Sequence, residues 1–407
     1  MGILKSIFVI FLGVFCLGEI FRFNLGNNIY IKPIDIAVIV LSLAWIAQEY
    51  RYIKKIYKDT LFLPIALFIG TMILSLSINI NNFSQNEVFV AFSYIVRWVL
   101  YANLYFIVKN FNPKFKKKIL YMLLVVGAIF TFFGFVQYLF YSNLRNLYYL
   151  GWDEHMHRMF SAFLDPNFAG AFFVLYLFFL LGILFYSLNN NKIKQARFIG
   201  SISIFALISI FLTHSRSALI MLLIATVIFF MLSKKMKWII GIILVSVIFI
   251  AISSKSFNIE NINLFRIAST EARIDSAKIA INIIKDNPLL GVGFNTYRYA
   301  QIKYGFRNPT SSNVSHADAG TDNSFLFVMA TTGIIGMIAY LNLLWSMLRE
   351  SYSNYKSYDS KSIQKYIGII AMTLIVGIII SAIFINSLFY PFILIWMWVL
   401  LGFMEKK

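Results

Sequence analysis

Phe168-Ala-Gly-Ala-Phe-Phe-Val-Leu-Tyr-Leu-Phe-Phe-Leu-Leu-Gly-Ile-Leu-Phe-Tyr-Ser-Leu188 contains no charged residue. As a helix rising 1.5 Å per residue it is long enough to cross a hydrocarbon core about 30 Å thick. Segments of this kind recur along the 407 residues. Twelve are expected to span, near 5–22, 34–48, 60–78, 88–108, 119–141, 168–188, 198–213, 217–232, 238–253, 323–347, 366–385 and 388–403. Composition agrees: 60% of residues are hydrophobic, 13% are charged, and the mean hydropathy is +0.76. The expectation is an all-α, polytopic integral membrane protein, one membrane domain over 1–407, because helices satisfy their own backbone groups in lipid.

Between the ninth and tenth segments the pattern breaks. Residues 254–321 form a polar island with eight Lys and Arg residues, expected to be one large loop on the extracytoplasmic face with an amphipathic helix inside it. Thr270 is placed to cap that helix, Glu271 suits its first turn, and Asp286-Asn-Pro288 ends it. Ile274, Ala277, Ile281 and Ile284 recur at helical spacing, and Arg273 falls one turn before Ala277, so Arg273 should look toward the membrane domain. Gly291-Val-Gly293 lacks the spacing and the preceding strand of a nucleotide-binding loop.

Cations orient the chain, since cytoplasmic loops are rich in Lys and Arg. Arg51, Lys54, Lys55 and Lys58 lie in one such loop; Lys114 to Lys118, Lys192 to Arg197, Lys234 to Lys237 and Arg349 to Lys365 mark others. The loop at 79–87 carries no cation. Both termini are therefore expected in the cytoplasm and the polar island outside. The net charge of +19 reads as membrane anchoring, not as nucleic-acid binding, because no reader motif accompanies it. The single cysteine, Cys16, precludes a disulfide within the chain. His155 and His157 lack a matched third ligand, and no metal or cofactor is expected.

Four polar features need an explanation in so apolar a chain. Arg97 sits in the middle of the fourth segment, where a cation facing lipid costs about 2.5 to 3.5 kcal/mol; it reads either as part of a cationic cavity or as an ion pair fixing two helices, with no evident carboxylate partner. Thr213-His-Ser-Arg216-Ser217 is a tight outer turn, either an anion site at a helix start or a solvated cap. Arg158 precedes Phe163-Leu-Asp-Pro-Asn167, a turn with capping chemistry. The island closes with His316, Asp318, Thr321, Asp322 and Asn323, where Asp322 is either a functional carboxylate or the cap of the tenth segment.

Together these pieces resemble the O-antigen ligase and polymerase family. The resemblance runs from Arg158 with Phe163-Leu-Asp-Pro-Asn167, through Ser215-Arg216-Ser217 and Arg273 with Asn287-Pro-Leu-Leu-Gly-Val-Gly293, to Asp322-Asn323, nine residues, then Gly333-Ile-Ile-Gly336. It implies a GT-C-like helical fold and a metal-independent, inverting glycosyl transfer from a polyprenyl diphosphate-linked oligosaccharide to an acceptor glycan. The place implied is the outer face of a bacterial cytoplasmic membrane, with a chain-length regulator and a flippase as further partners. It implies Arg216 and Arg273 on the diphosphate, Asp322 as base, and Asn323, Arg158, Asn167, His316 and Arg97 around the substrate. Ligases of the family carry His where this chain has Asp322, so the resemblance leans toward a polymerase that joins lipid-linked repeat units; a ligase for a lipid or cell-wall acceptor is the alternative, and a lipid-linked glycan transporter the rival.

Overall fold

The computed structural model describes residues 2–24, 30–253, 268–307 and 320–405. Its helices are α1 (Gly2–Phe15), α2 (Pro33–Gln48), α3 (Tyr50–Ile53), α4 (Phe62–Ile78), α5 (Gln85–Asn110), α6 (Pro113–Phe140), α7 (Pro166–Asn189), α8 (Ile193–Leu212), α9 (Arg216–Leu232), α10 (Lys237–Ser253), α11 (Ala268–Asp286), α12 (Tyr297–Lys303), α13 (Ser324–Ser357), α14 (Ile363–Ala382) and α15 (Pro391–Leu401). A two-residue antiparallel pair, β1 (Phe23–Asn24) with β2 (Tyr30–Ile31), lies between α1 and α2.

Every apolar segment expected to span overlies a helix, but length divides them. Among the described residues six helices, α5, α6, α7, α8, α13 and α14, are long and apolar enough to cross a membrane, or seven if α2 and Tyr50–Lys58 form one span despite meeting at 88°. The apolar helices α1, α4, α9 and α15 are shorter, as is the apolar part of α10, Lys237–Phe249. Helix length alone thus supports six or seven spans, not the expected twelve. Two of the short helices have a local cause: Thr213-His-Ser delays the start of α9 to Arg216, and Pro391 starts α15 late. Of the polar island, α11 and α12 are described; 254–267 and 308–319, with His316, lie outside the described residues.

At the centre is α7. It is apolar all round and buried along most of its length, as such a helix must be, and packs on α8, α9 and α14. Small residues let helices approach: a Cβ at Gly127 of α6 would stand 2.1 Å from the Tyr176 ring of α7, and one at Gly182 2.4 Å from Ile370 of α14.

Arg97 has the partner the sequence did not offer. Its guanidinium lies 3.0 Å from Asp35 in the first turn of α2 and donates to the Tyr30 carbonyl at 2.7 Å. The ion pair ties α5 to the start of α2. Sixty-odd positions separate the two residues, and Asp35 reads locally as an N-terminal acid, which is why the pair was illegible.

The long helix α13 is broken. Gly333 has φ 64° and ψ −166°, outside helical geometry. Into the break docks the hairpin after α11: Val292 and Gly293 N–H groups donate to the Ala330 and Thr331 carbonyls, while Ile334 and Ile335 N–H groups donate to Pro288 and Leu289. Four backbone groups that a broken helix would strand are satisfied this way. From α4 the Ser75 hydroxyl sits 2.6 Å from both the Leu290 and Thr331 carbonyls, and the Asn79 amide donates to Gly291 at 3.1 Å.

Candidate active site at the end of the polar island

The turn between α8 and α9 is built from buried polar groups. His214 takes a left-handed φ of 47°, and Ser215 caps α9, its hydroxyl accepting from the Ala218 N–H and lying 3.0 Å from the Ser217 hydroxyl. Arg158 is only 3% exposed; its Nε donates to the Thr213 carbonyl at 2.9 Å and its Nη2 to Asn167 Oδ1 at 3.2 Å. The Ser215 hydroxyl donates to the same Asn167 oxygen at 3.1 Å. Arg158 and Asn167 thus brace the turn from below. Asp165 caps α7 through the Asn167 N–H at 2.6 Å, and its other oxygen lies 3.9 Å from His155 Nε2.

Bracing this turn presents Arg216, half-buried at the first position of α9, toward α11. Its Nη1 donates to the Thr270 hydroxyl at 3.0 Å. Because α11 begins at Ala268, Thr270 lies within its first turn and meets Arg216, where the sequence placed a cap. Arg273, one turn further along, is half-buried and near enough for its charge to act on both Arg216 and Asp322.

The described face of α11 that is covered runs through Arg273, Ser276, Ala280 and Ile283, whereas Ile274 and Ile281 are 49% and 42% exposed. Of the expected stripe, Ile274 and Ile281 thus face outward while Ala277 and Ile284 are half-buried. The small Ser276 and Ala280 let α11 approach α13. Arg273 looks inward.

Ser276 joins the two sides of the site: its hydroxyl accepts from the Asp322 N–H at 3.3 Å and lies 3.2 Å from the Thr321 hydroxyl. Asn323, not Asp322, caps α13, with its Oδ1 accepting from Phe325 and Leu326 N–H groups at 2.9 and 3.1 Å and its Nδ2 donating to the Ile383 carbonyl at 3.1 Å. Capping by Asn323 leaves the half-buried Asp322 carboxylate outside the cap. Among the described residues no hydrogen-bond donor holds it. Burial raises its pKa above the usual aspartate value, Arg273 pulls it back, and the Asp165 charge adds to the rise; the net is upward, which suits a proton acceptor better than a salt-bridged carboxylate would be.

Sequence reasoning thus names Arg216, Arg273, Asp322, Arg158, Asn167 and Asn323, and the structure brings them to one end of the bundle. Arg97 stands apart in its own ion pair. Thr270 and Ser276 escaped as site residues; the one signal for Ser276 was its place three residues after Arg273 on the same helix face.

No curated protein matches the chain. Residues 201–341, from α8 through the turn, the island and the break of α13, match the family model described as O-antigen ligase, so this stretch of the chain is similar to O-antigen ligase/polymerase-like proteins.

Proposed function

We propose that the chain is a glycosyltransferase that joins polyprenyl diphosphate-linked repeat units at the outer face of the cytoplasmic membrane, without a metal. The observation that carries this reading is the meeting of two arginines from separate helices, Arg216 and Arg273, beside a carboxylate, Asp322, outside its helix cap. In the proposed step an acceptor hydroxyl oxygen attacks the anomeric carbon and the bond to the diphosphate oxygen breaks. The electron pair leaves with the lipid diphosphate and the hydroxyl proton passes to Asp322. Two neighbouring guanidiniums repel each other, and a diphosphate offsets that repulsion as its negative charge grows in the transition state. The start of α9 adds its helix dipole to the same anion. Arg158, Asn167 and Asn323 act here by holding the turn and the cap.

The ligase reading has its own support in the family description of the match. Aspartate in place of the ligase histidine favours the polymerase.

The test is the glycan ladder made by the purified full chain in lipid, given polyprenyl diphosphate-linked repeat units and EDTA. The wild type should build a ladder, and Arg273→Ala and Asp322→Asn should each lower its rate by about 10²-fold or more. Unchanged ladders in both variants would sink the site. Single transfer to an added acceptor without lengthening would establish a ligase, and no product at all would favour a transporter.

A further inference from the structure

At the opposite, lysine-rich end of the bundle, α2 stops at Gln48 and the chain turns by 88° into Tyr50–Lys58. This segment is two-faced. Arg51, Lys54, Lys55 and Lys58 are exposed, while Tyr52, Ile53 and Ile56 are half-buried, the pattern of a segment lying along a membrane surface with cations outward. Above it, between α2, α4 and α5, a partly open cleft of about 340 Å³ has Ile53 and Ile56 in its wall.

The cleft is apolar except at one level. Trp45 lines it and is 2% exposed; its indole nitrogen is buried and finds no acceptor among the described residues. Beside it the Asn103 amide donates to the Ser42 hydroxyl at 3.2 Å. Trp45 is three residues from the end of α2, the depth at which tryptophan meets the ester and headgroup region of a bilayer. Of the nearby carboxylates, Asp59 and Glu350 share Lys109 at 2.7 and 2.8 Å; Glu49 and the one negative charge left over from that trio stand against the four cations Arg51, Lys54, Lys55 and Lys58.

We propose that this cleft is a binding site for one anionic phospholipid of the adjacent leaflet. An acyl chain lies against Ile53, Ile56 and Ala66, the ester region lies at the level of Ser42 and Asn103, and the phosphate faces Lys54, Lys55 and Lys58. The acyl chain alone would take any lipid; the lysines select the charge.

The full chain in detergent, mixed with phosphatidylglycerol or phosphatidylcholine of the same acyl chains, is examined by native mass spectrometry. The wild type should retain phosphatidylglycerol over phosphatidylcholine by about tenfold or more. Lys54→Gln with Lys55→Gln and Lys58→Gln should bring that ratio near one, and Ala66→Phe should remove the retained lipid by filling the cleft. The lysines are exposed, so their replacement reads the headgroup contact even where Ala66→Phe disturbs packing. Equal retention of both lipids by the wild type overturns the proposal, as does a preference that survives loss of the three lysines. Polyprenyl phosphate displacing phosphatidylglycerol from the wild type would give the cleft to another lipid and overturns it equally.

Discussion

Asp322 shows how much one neighbour decides. Were it the cap of α13, the helix dipole would hold its proton affinity down; with Asn323 in that position, burial is free to raise it. A base works only when ionised, so glycan formation should fall as pH drops through the raised pKa, at a midpoint above the ordinary aspartate value of 3.8. Asp322→Glu should keep an acid limb and Asp322→Asn should leave only a flat residual rate. The check is the pH–rate profile of ladder formation at saturating donor; a midpoint at or below 3.8 would contradict the site described here. Arg216, Arg273 and Asp322 were singled out as candidates by the resemblance, since each also has a plain capping or surface reading at its place in the sequence. Which groups hold them was not legible: the Arg158–Asn167–Ser215 brace and the Ser276 link join segments far apart in the chain, and such contacts leave no periodic mark.

At the scale of elements, α11 and α13 are fastened by the hairpin in the break. Two glycines make that joint possible. Gly291 has φ 65° and a Cβ there would lie 2.4 Å from the Thr331 carbonyl carbon; a Cβ at Gly333, φ 64°, would lie 2.2 Å from Leu289. Gly291→Ala and Gly333→Ala should each destabilise the protein by about 1–3 kcal/mol, seen as a lower thermal midpoint, and should slow glycan transfer because Arg273 lies on α11 and Asp322 just precedes α13. Gly241→Ala, with nothing within 4 Å, is the control and should do neither. The stop of α11 follows from Asp286-Asn-Pro288 and was legible. Its packed face was legible only in part, since isoleucine spacing marks an apolar stripe without saying whether a protein surface or another surface receives it. Nor was the break legible: glycine is frequent within apolar helices, and only its dihedral angles reveal the interruption.

For the whole molecule, hydropathy was enough to place the helices and too coarse to count the spans, because helices of 10–17 residues cross only in company with neighbours or stop part-way. Orientation is a separate matter of charge. With Cys16, the single cysteine and a buried one, replaced by serine, an impermeant maleimide applied to intact cells should label Asn81→Cys, in the loop before α5, and reach Lys194→Cys, exposed in the first turn of α8, only after lysis. The reverse pattern would invert the topology and move the arginine site to the cytoplasmic side.

The burial of α7 carries over to how the chain is made. Its outer surface is claimed by α8 and α9, synthesised soon after it, and by α14, which begins at Ile363. Until the ribosome has passed that point, one flank of α7 rests on lipid tails. The central seam is completed only in the last stage of biosynthesis, although the hydrogen bonds of the brace beneath Arg216 all join residues 158–217. A nascent chain released before α14 would therefore carry the motif residues but lack the wall that keeps them in register.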